Sequence, residues 1–250
     1  MNRIGWCTRT WNPVTGCTPI SEGCQHCWAK RMASRLAGRY GYPEDNPFNV
    51  TVHPDRLTEP SSWRASQRVF VISMGDLFHE LVPIKFFSDI MNVILQNPHH
   101  TFMLLTKRPE NMHKLLSERA PDWKMALRYE YEIPLNNLWL GVTVENQKRA
   151  NERIPILLDI PAKIHFVSVE PMLEQVELDR WFCQLPHDRH AMHLTSLDWV
   201  ICGAETGAGA RPCETSWIQN LADRCKRLYV PFYDKKNELG MNLQEIPQCQ

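Results

Sequence analysis

The sequence has no excess charge of either sign: 28 lysines and arginines balance 28 aspartates and glutamates. That balance excludes a global field able to gather nucleic acid or an anionic membrane surface, and leaves open only a local basic groove. No apolar run is long enough to cross a bilayer, and Met1–Gly16 is polar and broken by Pro13 and Gly16, unlike a signal peptide. A cytoplasmic location with no membrane partner is expected. Low-complexity segments and long-period repeats are also missing. Nor do the cysteines form a disulfide framework: there are nine, an odd number, with three inside eleven residues and the rest scattered. In a reducing compartment such clustering points to metal.

What is present is enough apolar material for a substantial core. Of 250 residues 43% are hydrophobic, and one domain over 1–250 is expected. Apolar runs of strand length recur at Val69–Ser73, Thr101–Thr106, Leu138–Val144, Ile164–Val169, Trp199–Gly203 and Leu228–Tyr233, with a first strand expected near Ile4–Thr8. Continuous runs of this kind belong to strands buried on both faces. Trp28–Tyr40, Ile84–Leu95, Glu110–Leu116, Asn146–Leu158 and Ser216–Arg227 read as crossover helices between them. The alternation predicts an α/β fold with a parallel sheet, a partial (β/α)6-type TIM-like barrel with an added C-terminal strand. Two polar excursions, 41–68 and 186–196, interrupt it. The first is too long for an ordinary connection and reads as a functional lid or excursion.

The cysteine loop spans residues 11–29, WNPVTGCTPISEGCQHCWA, with six residues between Cys17 and Cys24 and two between Cys24 and Cys27. The CxxC pair lets two thiolates reach one metal centre, and a loop containing Gly16, Pro19 and Gly23 can fold back to bring the third. Two metals satisfy this spacing. A four-iron cluster on three cysteines leaves one iron open for the amino and carboxylate groups of S-adenosylmethionine (SAM). Reductive cleavage of SAM then releases a 5′-deoxyadenosyl radical that abstracts hydrogen from substrate. A zinc-stabilised binding module instead needs a fourth ligand; His26 is badly placed to serve, which leaves Cys7, Cys213 or a distant histidine. Cys202 and Cys225, inside apolar runs, read as small buried hydrophobes.

Chemistry in β/α barrels gathers at the carboxyl ends of the strands. Polar residues stand there repeatedly: Ser73, Gly75 and Asp76 in SMGDLF; Thr106, Lys107 and Arg108 in LLTKRP; Glu145 in GVTVEN; Ser168 and Glu170 in VSVEP; Glu205 in CGAETGAGARP. Each alone reads equally well as a helix cap or a solvated loop residue; the series points to one shared mouth. Glu145, Glu170 and Glu205 are the candidate catalytic groups, and two of them would also suit a carboxylate-dependent barrel hydrolase. That alternative gives the clustered cysteines no role, just as the zinc module gives none to the carboxylates. GAETGAGAR lacks the GK[ST] ending of a P-loop and reads as a tight turn near a ligand. His187, His190 and His193 read as a solvated loop. Trp6, Trp11 and Trp28 flank the cysteines, placed to shield a metal or to stack on adenine.

Together WNPVTGCTPISEGCQHCWA, SMGDLFHELVP, HHTFMLLTKRPENM, NLWLGVTVEN, FVSVEPML and DWVICGAETGAGARP resemble a phage-encoded and bacterial protein family of unassigned function, itself similar to the radical SAM superfamily. The match runs from about Ile4 to Lys236. The superfamily's usual motif has three residues between the first two cysteines and an aromatic before the third, where this chain has six and His26. The resemblance implies a 4Fe-4S cluster on Cys17, Cys24 and Cys27. It implies SAM bound among Ser73, Gly75, Asp76, Thr106, Lys107, Arg108, Glu145, Ser168 and Glu170. The amino group would lie at Ser73–Asp76 and the carboxylate at Lys107 or Arg108, with ribose or substrate at Glu145, Ser168 and Glu170. The implied partners are an electron donor such as flavodoxin or ferredoxin and a small-molecule or nucleobase substrate. Nucleic acid is admissible from this context, although net charge gives it no support.

Overall fold

Runs of valine, isoleucine, leucine and aromatic residues pair edge to edge because each can bury both of its faces. In the computed structural model, which describes residues 4–118, 134–183 and 196–248, nine strands form: β1 (Arg9–Trp11), β2 (Val14–Thr15), β3 (Thr51–Val52), β4 (Arg68–Val71), β5 (Thr101–Thr106), β6 (Leu138–Thr143), β7 (Ile164–Val169), β8 (Trp199–Cys202) and β9 (Phe232–Asp234). Seven of them make one sheet in the order β1-β4-β5-β6-β7-β8-β9, every neighbouring pair parallel. The helices are α1 (Trp28–Arg35), α2 (Ile84–Gln96), α3 (Pro109–His113), α4 (Gln147–Leu158) and α5 (Thr215–Arg227). The connection from β7 to β8 shows a single 3-10 turn at Asp179–Trp181 among its described residues.

The sheet curls into a half-barrel. Trp6, just before β1, packs 6.0 Å from Trp199 of β8 and 6.3 Å from Phe166 of β7, ring centre to ring centre. Strands that far apart in sheet order meet only if the sheet bends around a common interior. Trp6, Cys7, Met103, Trp139, Phe166, Trp199, Ile201 and Tyr233 fill that interior as a continuous apolar plug. The opposite faces of the strands pack with α2, α4 and α5 in the larger core. Edge strands β1 and β9 do not pair with each other, so the sheet is open, and the outer edge of β9 is bridged by the segment 243–245.

Several expectations shift. The first strand lies at Arg9–Trp11, not Ile4–Thr8, because Ile4–Cys7 turns and sends Trp6 and Cys7 inward. Helix α1 stops at Arg35, since Gly38 adopts φ +67 and its N–H bonds back to the carbonyl of Tyr42. Leu228–Tyr233 is not one strand: Tyr229 has φ +54 at the end of α5, and pairing begins at Phe232. The excursion 41–68 folds onto the cysteine loop, its β3 pairing antiparallel with β2. His187, His190, His193 and most of the excursion 186–196 lie outside the described residues. None of the described helices is long and apolar enough to cross a membrane.

Candidate functional site

At the carboxyl edge of the half-barrel an open cavity is lined by Cys17, Cys24 and Cys27 together with Ser73, Gly75, Asp76, Thr106, Lys107 and Arg108. Phe70 and Leu105 form its floor and rest on the apolar plug below.

The cysteine loop is fixed by residues from distant parts of the chain. Its Gly16 N–H bonds to the carbonyl of Met74 and its Cys17 N–H to that of Phe48. Gly75 has to be glycine here: a Cβ at that position would stand 2.7 Å from the Gly16 carbonyl oxygen. Asn12 accepts hydrogen bonds from Ser73 Oγ and Met74 N, which ties the SMGDLF turn to the strand beside it. Cys27 then ends the loop as the N-cap of α1, whose Ala29 and Ala33 pack on Tyr42 and Met74.

Charges approach two of the thiols. Arg108 donates to Cys17 Sγ at 3.2 Å, to Asp76 at 3.3 Å, and to the carbonyl and hydroxyl of Thr18 at 3.0 and 2.9 Å. Asp76 is buried and also accepts from the Thr106 hydroxyl and the Phe78 N–H, so it organises Arg108 and Thr106. Burial, reinforced by Asp76, outweighs Arg108 and pushes the Cys17 thiol up to about 11. Cys24 behaves oppositely. Its burial alone would raise the thiol, but Lys107, with Nζ 3.8 Å from Sγ, and nearby hydrogen bonds bring it below its ordinary value.

Glu145 is wholly buried and receives Lys107 at 2.9 Å, Arg153 at 2.8 Å and the Ser21 hydroxyl. Desolvation is its largest influence, yet the two cations together hold the carboxyl below its usual range. Glu205 is gripped by Arg211 through two side-chain nitrogens and the backbone N–H, and by His26 Nδ1 at 3.1 Å, which takes its carboxyl to about 2. Arg211 also donates to the Glu22 carbonyl at 3.1 Å, and Arg31 to the Thr206 carbonyl at 2.6 Å. Gly207, at φ +99, leaves the room that Arg31 occupies. The glycine-rich segment therefore clasps the cysteine loop from outside.

The sequence-predicted residues thus divide. The three cysteines, Ser73, Gly75, Asp76, Thr106, Lys107 and Arg108 share one cavity. Glu145 reaches it through Lys107, and Glu205 sits in the clasp. Glu170, at the end of β7, binds Lys235 at 2.5–2.6 Å, and its side chain, 27% exposed, is the most accessible of the three carboxylates. Ser168 is buried on β7 and does not line the cavity. Trp6 belongs to the plug, Trp11 is buried with its indole N–H on the Arg56 carbonyl, and Trp28 is exposed. Sequence reasoning missed Arg153, Arg211, Arg31 and Asn12. Arg153 had a visible signal: it lies on the apolar stripe of α4 with Ala150, Ile154 and Leu157.

Among the described residues no three His, Cys, Asp or Glu side chains stand close enough to hold one metal ion. Over residues 1–242 the chain matches the family described as "Protein of unknown function (DUF5131)". No curated protein and no solved structure matches it.

Proposed function

We propose, for a chain that belongs to this DUF5131 family of proteins of unknown function, that it is a radical SAM enzyme. Cys17, Cys24 and Cys27 would hold a 4Fe-4S cluster, and the adjoining cavity would take SAM. The observation that carries this reading is the meeting of all three thiols with Asp76, Thr106, Lys107 and Arg108 in one cavity at the carboxyl edge of a curled parallel sheet. We read that sheet as part of a TIM-like (β/α) barrel, where this edge is the usual place for chemistry.

The cations beside the thiols support such a cluster. Three thiolates carry negative charge into a partly buried place, and Lys107 and Arg108 stand beside two of them to offset it. When bound and reduced by an external electron donor, the cluster would supply the one electron that breaks the S–C5′ bond of SAM, leaving methionine and a 5′-deoxyadenosyl radical. The chain's own residues bind and orient. Lys107 keeps one of its three ammonium hydrogens for an anionic group after meeting Glu145 and Cys24; the SAM carboxylate is such a group. Asp76 holds Thr106 and Arg108 at fixed positions on the cavity wall. The apolar floor of Phe70 and Leu105 excludes water below. Glu170, paired with Lys235, is the carboxylate left for substrate.

Neither alternative gains comparable support. A hydrolase needs one carboxyl with a raised pKa as general acid, whereas Glu145 and Glu205 are both held low by cations. A zinc module needs a closed set of four ligands around one ion, and His26 is engaged by Glu205.

Metal analysis with electron paramagnetic resonance tests the proposal. Anaerobically reconstituted protein is expected to hold about four irons per chain and, once reduced, to show a signal that SAM perturbs. C17A, C24A and C27A should each lose it. Stoichiometric zinc without iron after anaerobic purification would overturn the reading.

A further inference from the structure

The segment Gly23–Pro43 contains no aspartate or glutamate, yet holds Lys30, Arg31, Arg35 and Arg39. In a chain with zero net charge this is a local imbalance, and no ion pair among the described residues cancels it. Arg31 donates to the Thr206 and Ala208 carbonyls and Arg39 to the Arg35 carbonyl, and none of the four is ion-paired among the described residues. The acids at its near end are occupied elsewhere, Glu22 by Arg149 and Glu205 by Arg211. Glu44 against Gly38, and Asp55 and Glu59 beside Tyr40, bound the far end, so the positive face runs from Trp28 to Arg35.

This face adjoins the cavity, because Lys30 both lines it and is exposed. It also presents an aromatic ring: Trp28 is 49% exposed, on the helical turn shared with Arg31 and Met32. Cations that reach phosphates, interleaved with an accessible indole that stacks on bases, are the chemistry of single-stranded nucleic-acid binding. Charge alone would suit an acidic protein equally; the exposed indole favours bases.

We infer that the outer face of α1 binds single-stranded nucleic acid and that the cavity acts on a base or nucleotide within it. The second half rests on the proposed chemistry of the cavity, and the first does not. Fluorescence anisotropy of the reconstituted full chain with labelled oligonucleotides of about twelve residues, thymidylate and uridylate, tests the binding. Binding should weaken with salt with a log–log slope of about −2, as expected for three phosphate contacts. K30E/R35E should weaken it at least about tenfold, and W28A by about tenfold, with melting curves and iron content as controls on folding. R35E alone serves if the double variant does not fold. Three results would overturn the inference: no binding by the wild type, undiminished binding by the charge variants, or equal binding of heparin with no effect of W28A. Capture of an acidic electron carrier in place of oligonucleotides would reassign the face to that partner. SAM cleavage assayed on the same samples separates the two readings, since oligonucleotide binding without cleavage would refute the proposed chemistry alone.

Discussion

The cysteine loop is held from two sides, and the two grips differ in burial. On the inner side Glu145, Lys107, Arg153, Asp76 and Arg108 form ion pairs almost out of reach of water. On the outer side Arg211 and His26, each about a quarter exposed, meet Glu205. Buried pairs are damaging to break because the surviving partner is left charged and unsolvated, whereas partly exposed pairs are screened and replaceable by water. The inner grip therefore fixes where the thiols stand, and the outer one determines how firmly the loop stays down.

Three experiments sharpen that contrast. The largest effect is expected for E145A, which strands Lys107 and Arg153; urea unfolding should register a loss of about 3–5 kcal/mol that added salt barely changes. A loss under about 1 kcal/mol would place Glu145 with the outer grip instead. Next comes G75A, whose methyl group meets the Gly16 carbonyl at 2.7 Å; thermal melts should show a destabilisation of roughly 1–3 kcal/mol, and Cys17 should alkylate faster as the loop lifts. The smallest effect belongs to R211A, about 1 kcal/mol and shrinking as salt rises. The same pair fixes a pH dependence. Glu205 titrates at about 2 when folded against an ordinary 4.5, so its stabilisation is present above pH 4.5 and is lost as pH falls towards 2. In R211A that acid-side slope should flatten.

Much of the fold was legible from the chain, for a definite reason. Thr101–Thr106 and Ile164–Val169 match their strands residue for residue, because strands covered on both faces need uninterrupted apolar runs. Helices α2, α4 and α5 were equally plain from their stripes. Expectations failed where backbone angles decide. Ile72, at φ +60, ends β4 before Ser73, and Tyr229 does the same for the run at 228–233. At the site, residue types announced the cysteines and the Thr106–Arg108 wall. Two of the partners that orient them did not show, since Asn12 reaches Ser73 across 61 residues and Arg211 the Glu22 carbonyl across 189, separations that no local pattern encodes; Arg153, eight residues from Glu145, had its trace in the stripe of α4.

One of those separations bears on how the site is completed. Ser21 meets Glu145 across 124 residues and Arg211 closes on the Glu22 carbonyl across 189, so neither wall around the thiols can form from the cysteine segment by itself: a peptide of that loop alone would carry the sulfurs without their setting.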